Sequence, residues 1–375
     1  MSMTSKERVH AALRREPVDR VPIWMWYHPI TIRRLSELLE IPSARVVEAL
    51  GDDIRQTWVG GNHAMEGIVH EHEGEGHTDV WGIDWVKIGH FNQIRTNPLR
   101  GAGEESVRAY RYPHDQIEDL LTNMDPVLAE GNRYFIGCDI SPCLFEMVYR
   151  VRGMDDAFLD LAESPDLARF MIKEAAEFAT ALAEAVCGRM PIDWLWSGDD
   201  VAGQQNLMMS PATWREMIKP HLARIMRAAK SRGIWMAHHC CGAMRPIIPD
   251  LIEIGMDVLN PVQANCPGMD PLDLKAEFGD ELAFMGGIDT QELLPNGSAA
   301  EVYGATLRLI EGMTTGGGGY VLAASHSVPP ETPFDNIFAM YEAAGVTRTE
   351  IFDRAADVRS GVRSPASGEN HVVAG

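Results

Sequence analysis

The sequence predicts an α/β protein: a (β/α)8 barrel of TIM type, a single domain with an N-terminal insertion over the barrel mouth. Three observations carry this. From residue 134 onward, short apolar runs alternate with longer segments of helical period. No glycine-rich dinucleotide turn follows any of these runs, which disfavours a doubly wound sheet. The length, 375 residues, accommodates one barrel plus an insertion.

The elements follow in chain order. A short helix over 3–15, capped by Thr4 or Ser5, ends at Pro17. Residues 21–26 form an apolar, strand-like run, and 30–50 are helical with Leu35, Leu38 and Leu39 on one face. Residues 57–115 carry Gly, His and Glu without clear period, apart from a stretch at 79–86 that alternates like a strand. They read as the insertion, bearing a hairpin. Strands are then expected at 134–138, 193–197, 233–238, 256–260, 282–286 and 320–324. Helices are expected between and after them at 154–187, 211–232, 244–254, 271–278, 299–314 and 333–344. One further strand is needed before residue 134 to complete eight. Gly316–Gly319 precedes a strand, so it marks a helix stop and turn rather than a phosphate cradle. The barrel is assigned to 1–355, and the polar, aperiodic tail 356–375 is expected to be disordered.

Composition narrows the function classes. The formal charge is −21, from 33 Lys and Arg against 54 Asp and Glu, which argues against nucleic-acid binding. No run of about 18 apolar residues exists, and the charged N-terminus lacks an apolar core of the secretory type. A cytoplasmic protein is expected. The six cysteines of such a chain read better as thiols or metal ligands than as disulfides.

Barrel enzymes carry their reactive residues at the C-terminal ends of strands. The polar residues in those positions are Asp139, Asp199, Asp200, His239, Cys240, Cys241, Gln263, Asp289, Ser325 and His326. The sharpest motif is Ala237-His-His-Cys-Cys-Gly242. Zinc favours thiolate and imidazole, and residues i and i+2 of an extended segment face one side. His239 with Cys241 meets that condition, as does His238 with Cys240. The first pair is preferred because Gly242 lets the chain turn sharply after it. His326 is the expected third ligand, with Cys266 as competitor. Asp199 and Asp200 are candidates for acid–base work or for orienting a ligand histidine, and Asp289 for holding a substrate amine or hydroxyl. Their bland alternative is helix capping. Gln263 is a candidate substrate contact. Trp26, where it faces the mouth, would line an apolar pocket. Glu146 and Cys143 read as helix-start and packing residues.

Several segments together resemble the uroporphyrinogen decarboxylase superfamily: Thr4–Leu13 with Pro17-Val-Asp-Arg-Val-Pro22, Ser210-Pro211 with Ile218-Lys-Pro220, His239-x-Cys-Gly242, Gly286-Gly-Ile-Asp-Thr-Gln291, and Ser325-His326 with Pro333 and Asn336-Ile337. The resemblance implies a distorted (β/α)8 barrel that serves either metal-free porphyrinogen decarboxylases or zinc-dependent, corrinoid-linked methyltransferases. The decarboxylases carry an Arg-Gln-Ala-Gly-Arg carboxylate clamp after the first strand. Here that stretch reads Tyr27-His-Pro-Ile-Thr31, so Tyr27 and His28 become candidate substrate contacts and porphyrinogen decarboxylation is disfavoured. The His-x-Cys motif of the methyltransferases falls on His239 and Cys241. Their third ligand is a Cys near the last strand end, where this chain has His326.

The resemblance therefore implies a zinc methyltransferase moving methyl groups between a small methylated substrate and a corrinoid or thiol. The corrinoid would arrive on a partner protein or free, and neither nucleic acid nor a membrane is an expected partner. Two imidazoles and one thiolate would leave zinc with net positive charge, suited to activating an oxygen leaving group. The alternatives are a decarboxylase or another zinc lyase or hydrolase on the same barrel, and a non-catalytic module that binds a corrinoid protein.

Overall fold

The computed structural model describes residues 3–60, 63–64 and 70–361. Its strands are β1 (Ile54–Trp58), β2 (Gly76–Thr78), β3 (Asp84–Ile88), β4 (Phe91–Thr96), β5 (Phe135–Asp139), β6 (Trp194–Gly198), β7 (Trp235–His239), β8 (Val258–Val262), β9 (Ala283–Ile288) and β10 (Tyr320–Ala324). Seven of them form one sheet in the order β1-β5-β6-β7-β8-β9-β10, and β2-β3-β4 form a second. The pairs β5–β6, β6–β7, β8–β9 and β9–β10 are parallel. Sequential parallel neighbours joined through helices are the connectivity of the (β/α) barrel class expected from the sequence. The strand missing from the sequence reading before residue 134 is β1. Its alternation is masked because four of its five residues are only partly buried.

The chain packs as two compact units. The first comprises Met1–Arg55, Ala129–Ile136 and Val258–Gly375. In it the run at 21–26 is not a ladder strand, contrary to expectation. It meets β10 through two isolated pairings, Ile23 with Leu322 and Tyr27 with Val328. Trp24 N donates to Leu322 O at 3.0 Å, and Leu322 N donates to Pro22 O at 2.9 Å. Its other edge is met by carboxylates: Ile23 N donates to Asp53 and Met25 N to Asp52. Side-chain acceptors thus satisfy the backbone where a ladder would otherwise be required. Ile23 and Met25 still point into the core, as the period of two demands. The helix Arg348–Ser360, opened by a Thr347/Glu350 capping box, runs past the expected barrel boundary at 355. The rest of the expected tail, 362–375, lies outside the described residues.

The second unit comprises Gln56–Leu128 and Gly137–Asp257. Its long helical stretches are interrupted where proline opens a new helix: Met154–Glu163 gives way to Pro165–Arg189, and Pro211–Met217 to Lys219–Lys230 with Pro220 in its first turn. Trp194, wholly buried, crosses the strand plane at Gly137 and donates from Nε1 to Gln56 Oε1 at 2.6 Å. A Cβ on Gly137 would lie 2.2 Å from that nitrogen, so only glycine admits the indole. The insertion carries the expected antiparallel pairing but with three strands, and the stretch 79–86 divides into a turn and the start of β3. Asp79 causes the break. Its Oδ1 accepts from Trp81 N and Ile83 N and its Oδ2 from Trp85 Nε1, which folds 79–83 into a turn between β2 and β3. Against Trp85 stack His63 and His77, and His77 is hydrogen-bonded on its two sides to His63 and His70. Among the described residues no helix is long and apolar enough to cross a membrane.

Candidate metal centre

The site grows from the register of β6 against β7, which sets Ser197 beside His238 and Gly198 beside His239. The two adjacent histidines therefore point to opposite faces. His238 is buried, with Nδ1 2.8 Å from Ser197 Oγ. Burial, reinforced by the neighbouring His239, holds its pKa down to about 3, so this ring is neutral. His239 is partly exposed and leans on Trp196, ring centroids 6.0 Å apart. Two residues on, Cys241 returns to the same side, and its Sγ lies 3.4 Å from His239 Nε2. Cys240 faces inward, and burial pushes its thiol well above the ordinary range. The chain then turns at Gly242, whose φ of +94° belongs to the left-handed region. A Cβ there would lie 2.4 Å from Gly203 O. The preference for the 239/241 pair and the role of Gly242 thus have the same physical origin.

Asp199 and Asp200 follow β6. Asp200 Oδ1 accepts from Cys241 N at 2.8 Å and lies 3.9 Å from His239 Nε2. One ligand atom each of Asp200, His239 and Cys241 falls within 4.8 Å of the others. The donor chemistry fits zinc: one imidazole, one thiol and one carboxylate. So do the spacings, since tetrahedral zinc sets N and S ligands about 3.6 Å apart and N and O ligands about 3.4 Å apart. Asp199 is buried, with Oδ1 accepting from Glu146 N at 2.7 Å. Its Oδ2 has no hydrogen-bond partner among the described residues, and burial pushes its pKa up to about 8. Asp200 is likewise raised, by burial and then by Glu146.

The other candidates distribute as follows. His326 belongs to the first unit, where it is exposed, stacks on Trp26 with centroids 4.6 Å apart and lies 3.1 Å from Ser327 Oγ. Within the second unit, Asp200 is a further donor within reach of His239 and Cys241, one that the sequence reading did not count as a ligand. Tyr27 is buried against Tyr341, hydroxyl to hydroxyl at 2.9 Å. His28 is buried as the cap of helix Pro29–Leu39, its Nδ1 accepting from Ile30 N. Both have structural employment, which weakens them as substrate contacts. Asp289 has the capping role: its carboxylate accepts from the backbone of Gln291, Glu292 and Leu293. Gln263 is buried, and its carbonyl accepts from Cys266 N in the turn that also buries Cys266. Cys143 is buried under the loop after β5. Glu146, expected only to start a helix, is bound to both aspartates of the site. No signal in the sequence distinguishes it from other helix-start acids.

A family model described as uroporphyrinogen decarboxylase (URO-D) matches residues 136–345. A uroporphyrinogen decarboxylase of Thermus thermophilus is 27% identical over 356 residues, covering 87% of this chain and 94% of that protein. The methylcobamide:CoM methyltransferase MtaA of Methanosarcina barkeri is 27% identical over 361 residues, covering 91% and 97%. Among solved structures, a methyltransferase from Methanosarcina mazei superposes with a TM-score of 0.68 at 19% identity, over 92% of this chain and 99% of that one, and so shares the fold. The matched segment takes in β6, β7 and all three gathered donors, and the chain belongs to the uroporphyrinogen decarboxylase (URO-D) family.

Proposed function

We propose that this member of a family of decarboxylases and methyltransferases is a zinc-dependent methyltransferase. It would move a methyl group between a small methylated substrate and a corrinoid or thiol acceptor. The observation that carries this is the convergence of His239 Nε2, Cys241 Sγ and a carboxylate oxygen of Asp200 at the C-terminal ends of β6 and β7. The relative named as a methylcobamide:CoM methyltransferase supports the reaction class.

Zinc bound there supplies a Lewis acid that favours the ionised form of an incoming thiol. The chain's own residues do the rest. His239 offers Nε2 as a donor, and Cys241 offers its thiol on the partly exposed side. Asp200 ties the Cys241 backbone to the end of β6, so both side chains are held before metal or substrate arrives. With Asp200 as a donor beside His239 and Cys241, the set carries two negative charges, against one for two imidazoles and a thiolate. That resembles an imidazole with two thiolates in charge and supports a thiol acceptor over an oxygen leaving group. The stretch Tyr27–Thr31 offers no guanidinium in place of a carboxylate clamp, and Tyr27 and His28 are internally bonded. This speaks against a polycarboxylate porphyrinogen.

The test is elemental analysis of wild type and Cys241→Ser, followed by methyl transfer from methylcobalamin to thiols. About one zinc per chain, lost in the variant, together with thiol methylation, is the expected result. Carefully prepared wild type without zinc, releasing CO2 from a porphyrinogen, would overturn it in favour of the decarboxylase reading.

A further inference from the structure

We propose that Glu146 is the positioning residue of the metal group: a buried strut that sets the carboxylate of Asp200 against His239 and Cys241, and is itself held by Arg150. The inference rests on the zinc reading above.

Glu146 opens the helix Phe145–Arg152 and is 7% exposed. Its three polar contacts are all directed. Its own N–H donates to Asp199 Oδ1 at 2.7 Å. Its Oε2 accepts from Asp200 N at 3.1 Å, and its Oε1 accepts from Arg150 Nη2 at 2.7 Å. The residue therefore donates to one aspartate and accepts from the backbone of the next. Two bonds of opposite sense on consecutive residues fix the peptide between them, and with it the direction of the Asp200 side chain. That side chain continues the chain of contacts to Cys241 N at 2.8 Å. Behind Glu146, the Arg150 guanidinium sits over the Trp85 ring, 5.8 Å from its centroid. Trp85 belongs to β3 of the insertion.

Helix initiation does not account for this arrangement. An acid serving only the helix dipole works from an exposed first turn and needs neither a buried site nor a guanidinium partner. Instead the two carboxylate oxygens of Glu146 are divided between Asp200 N and Arg150 Nη2, the arrangement of an outer partner that orients a ligand-bearing residue.

The test measures zinc affinity by chelator competition and the absorption spectrum of the cobalt-substituted protein, in wild type, Glu146→Gln and Glu146→Asp. Glu146→Asp keeps the charge but shortens the reach by one methylene, so it cannot span Arg150 and Asp200 N. Weakening by about 10- to 100-fold in both variants, with altered cobalt bands, is expected. Wild-type affinity and spectrum in both variants overturn the proposal. A deficit in Glu146→Gln that is absent in Glu146→Asp also overturns it, because charge alone would then suffice. Should Glu146→Gln fail to fold, Arg150→Met is read in its place: weaker zinc binding that Arg150→Lys restores supports the strut, and unchanged binding overturns it. Wild type that takes up neither zinc nor cobalt defeats the zinc reading itself, a result distinct from variants that bind metal like wild type.

Discussion

The chain carries two Asp-Asp pairs beside barrel strands, and they are put to opposite uses. Asp52–Asp53 immediately precedes β1, and Asp199–Asp200 follows β6. At the first pair both side chains have firm partners, Asp53 two guanidiniums and Asp52 a hydroxyl and a backbone N–H. Asp53, fully buried, takes Arg8 Nη1 at 2.6 Å and Arg20 Nη1 at 2.7 Å, and Asp52 takes the Tyr341 hydroxyl at 2.5 Å. At the second pair Asp199 Oδ2 has no hydrogen-bond partner among the described residues, and the groups beside Asp200 are an imidazole and a thiol. The difference matches the division of labour in barrels, with stability at the N-terminal ends of strands and chemistry at the C-terminal ends. Identical dipeptides acquire different roles from the strand end they occupy.

The largest test of this contrast is at the second pair's neighbour. Cys241→Ser replaces a thiolate with a far weaker ligand, and zinc content is expected to fall from about one per chain to near none, with unfolding little changed. At the first pair the reverse should hold. Asp53→Ala leaves the Arg8 guanidinium, 2% exposed, without its buried partner, and about 3–5 kcal/mol of stability should be lost in urea titration. Zinc affinity per folded molecule should be unchanged. An Asp53→Ala protein that folds normally but loses zinc would break the contrast.

The pH dependence sharpens it further. Burial pushes Asp52 up to about 7 from 3.8, against the bonds from Tyr341 and Met25. The folded chain then keeps a proton that the unfolded chain has released. Its contribution to stability is full below about pH 4 and is lost as pH rises to about 7, up to about 4 kcal/mol in all. Asp52→Asn should flatten that part of the stability–pH curve, and an unchanged slope would show that Asp52 is not its source. The smallest effect is expected at Ser197→Ala, which deprives the neutral His238 of its Nδ1 partner. About 1 kcal/mol should be lost, with zinc affinity nearly intact because His239 faces the other way.

What could be read from the chain alone is periodicity and local chemistry. Apolar runs spaced by helical segments establish the barrel class, because core burial imposes those periods on any sequence that adopts it. The i, i+2 relation is likewise a property of extended backbone, so His239 and Cys241 could be paired without coordinates, and Gly242 explained as the turn after them.

Tertiary structure decided matters of separation. β1 hid because partly buried strand residues do not alternate, and 21–26 became a carboxylate-braced segment because Asp52 and Asp53, some 30 residues away, supply acceptors. Asp200 comes within reach of His239 and Cys241 because the β6–β7 register brings residues about 40 apart side by side. Glu146 becomes part of the site because its helix begins where β6 ends in space, not in sequence. Hydrogen bonds act over about 3 Å and zinc–ligand bonds over about 2 Å, and only the folded chain brings such distant residues that close.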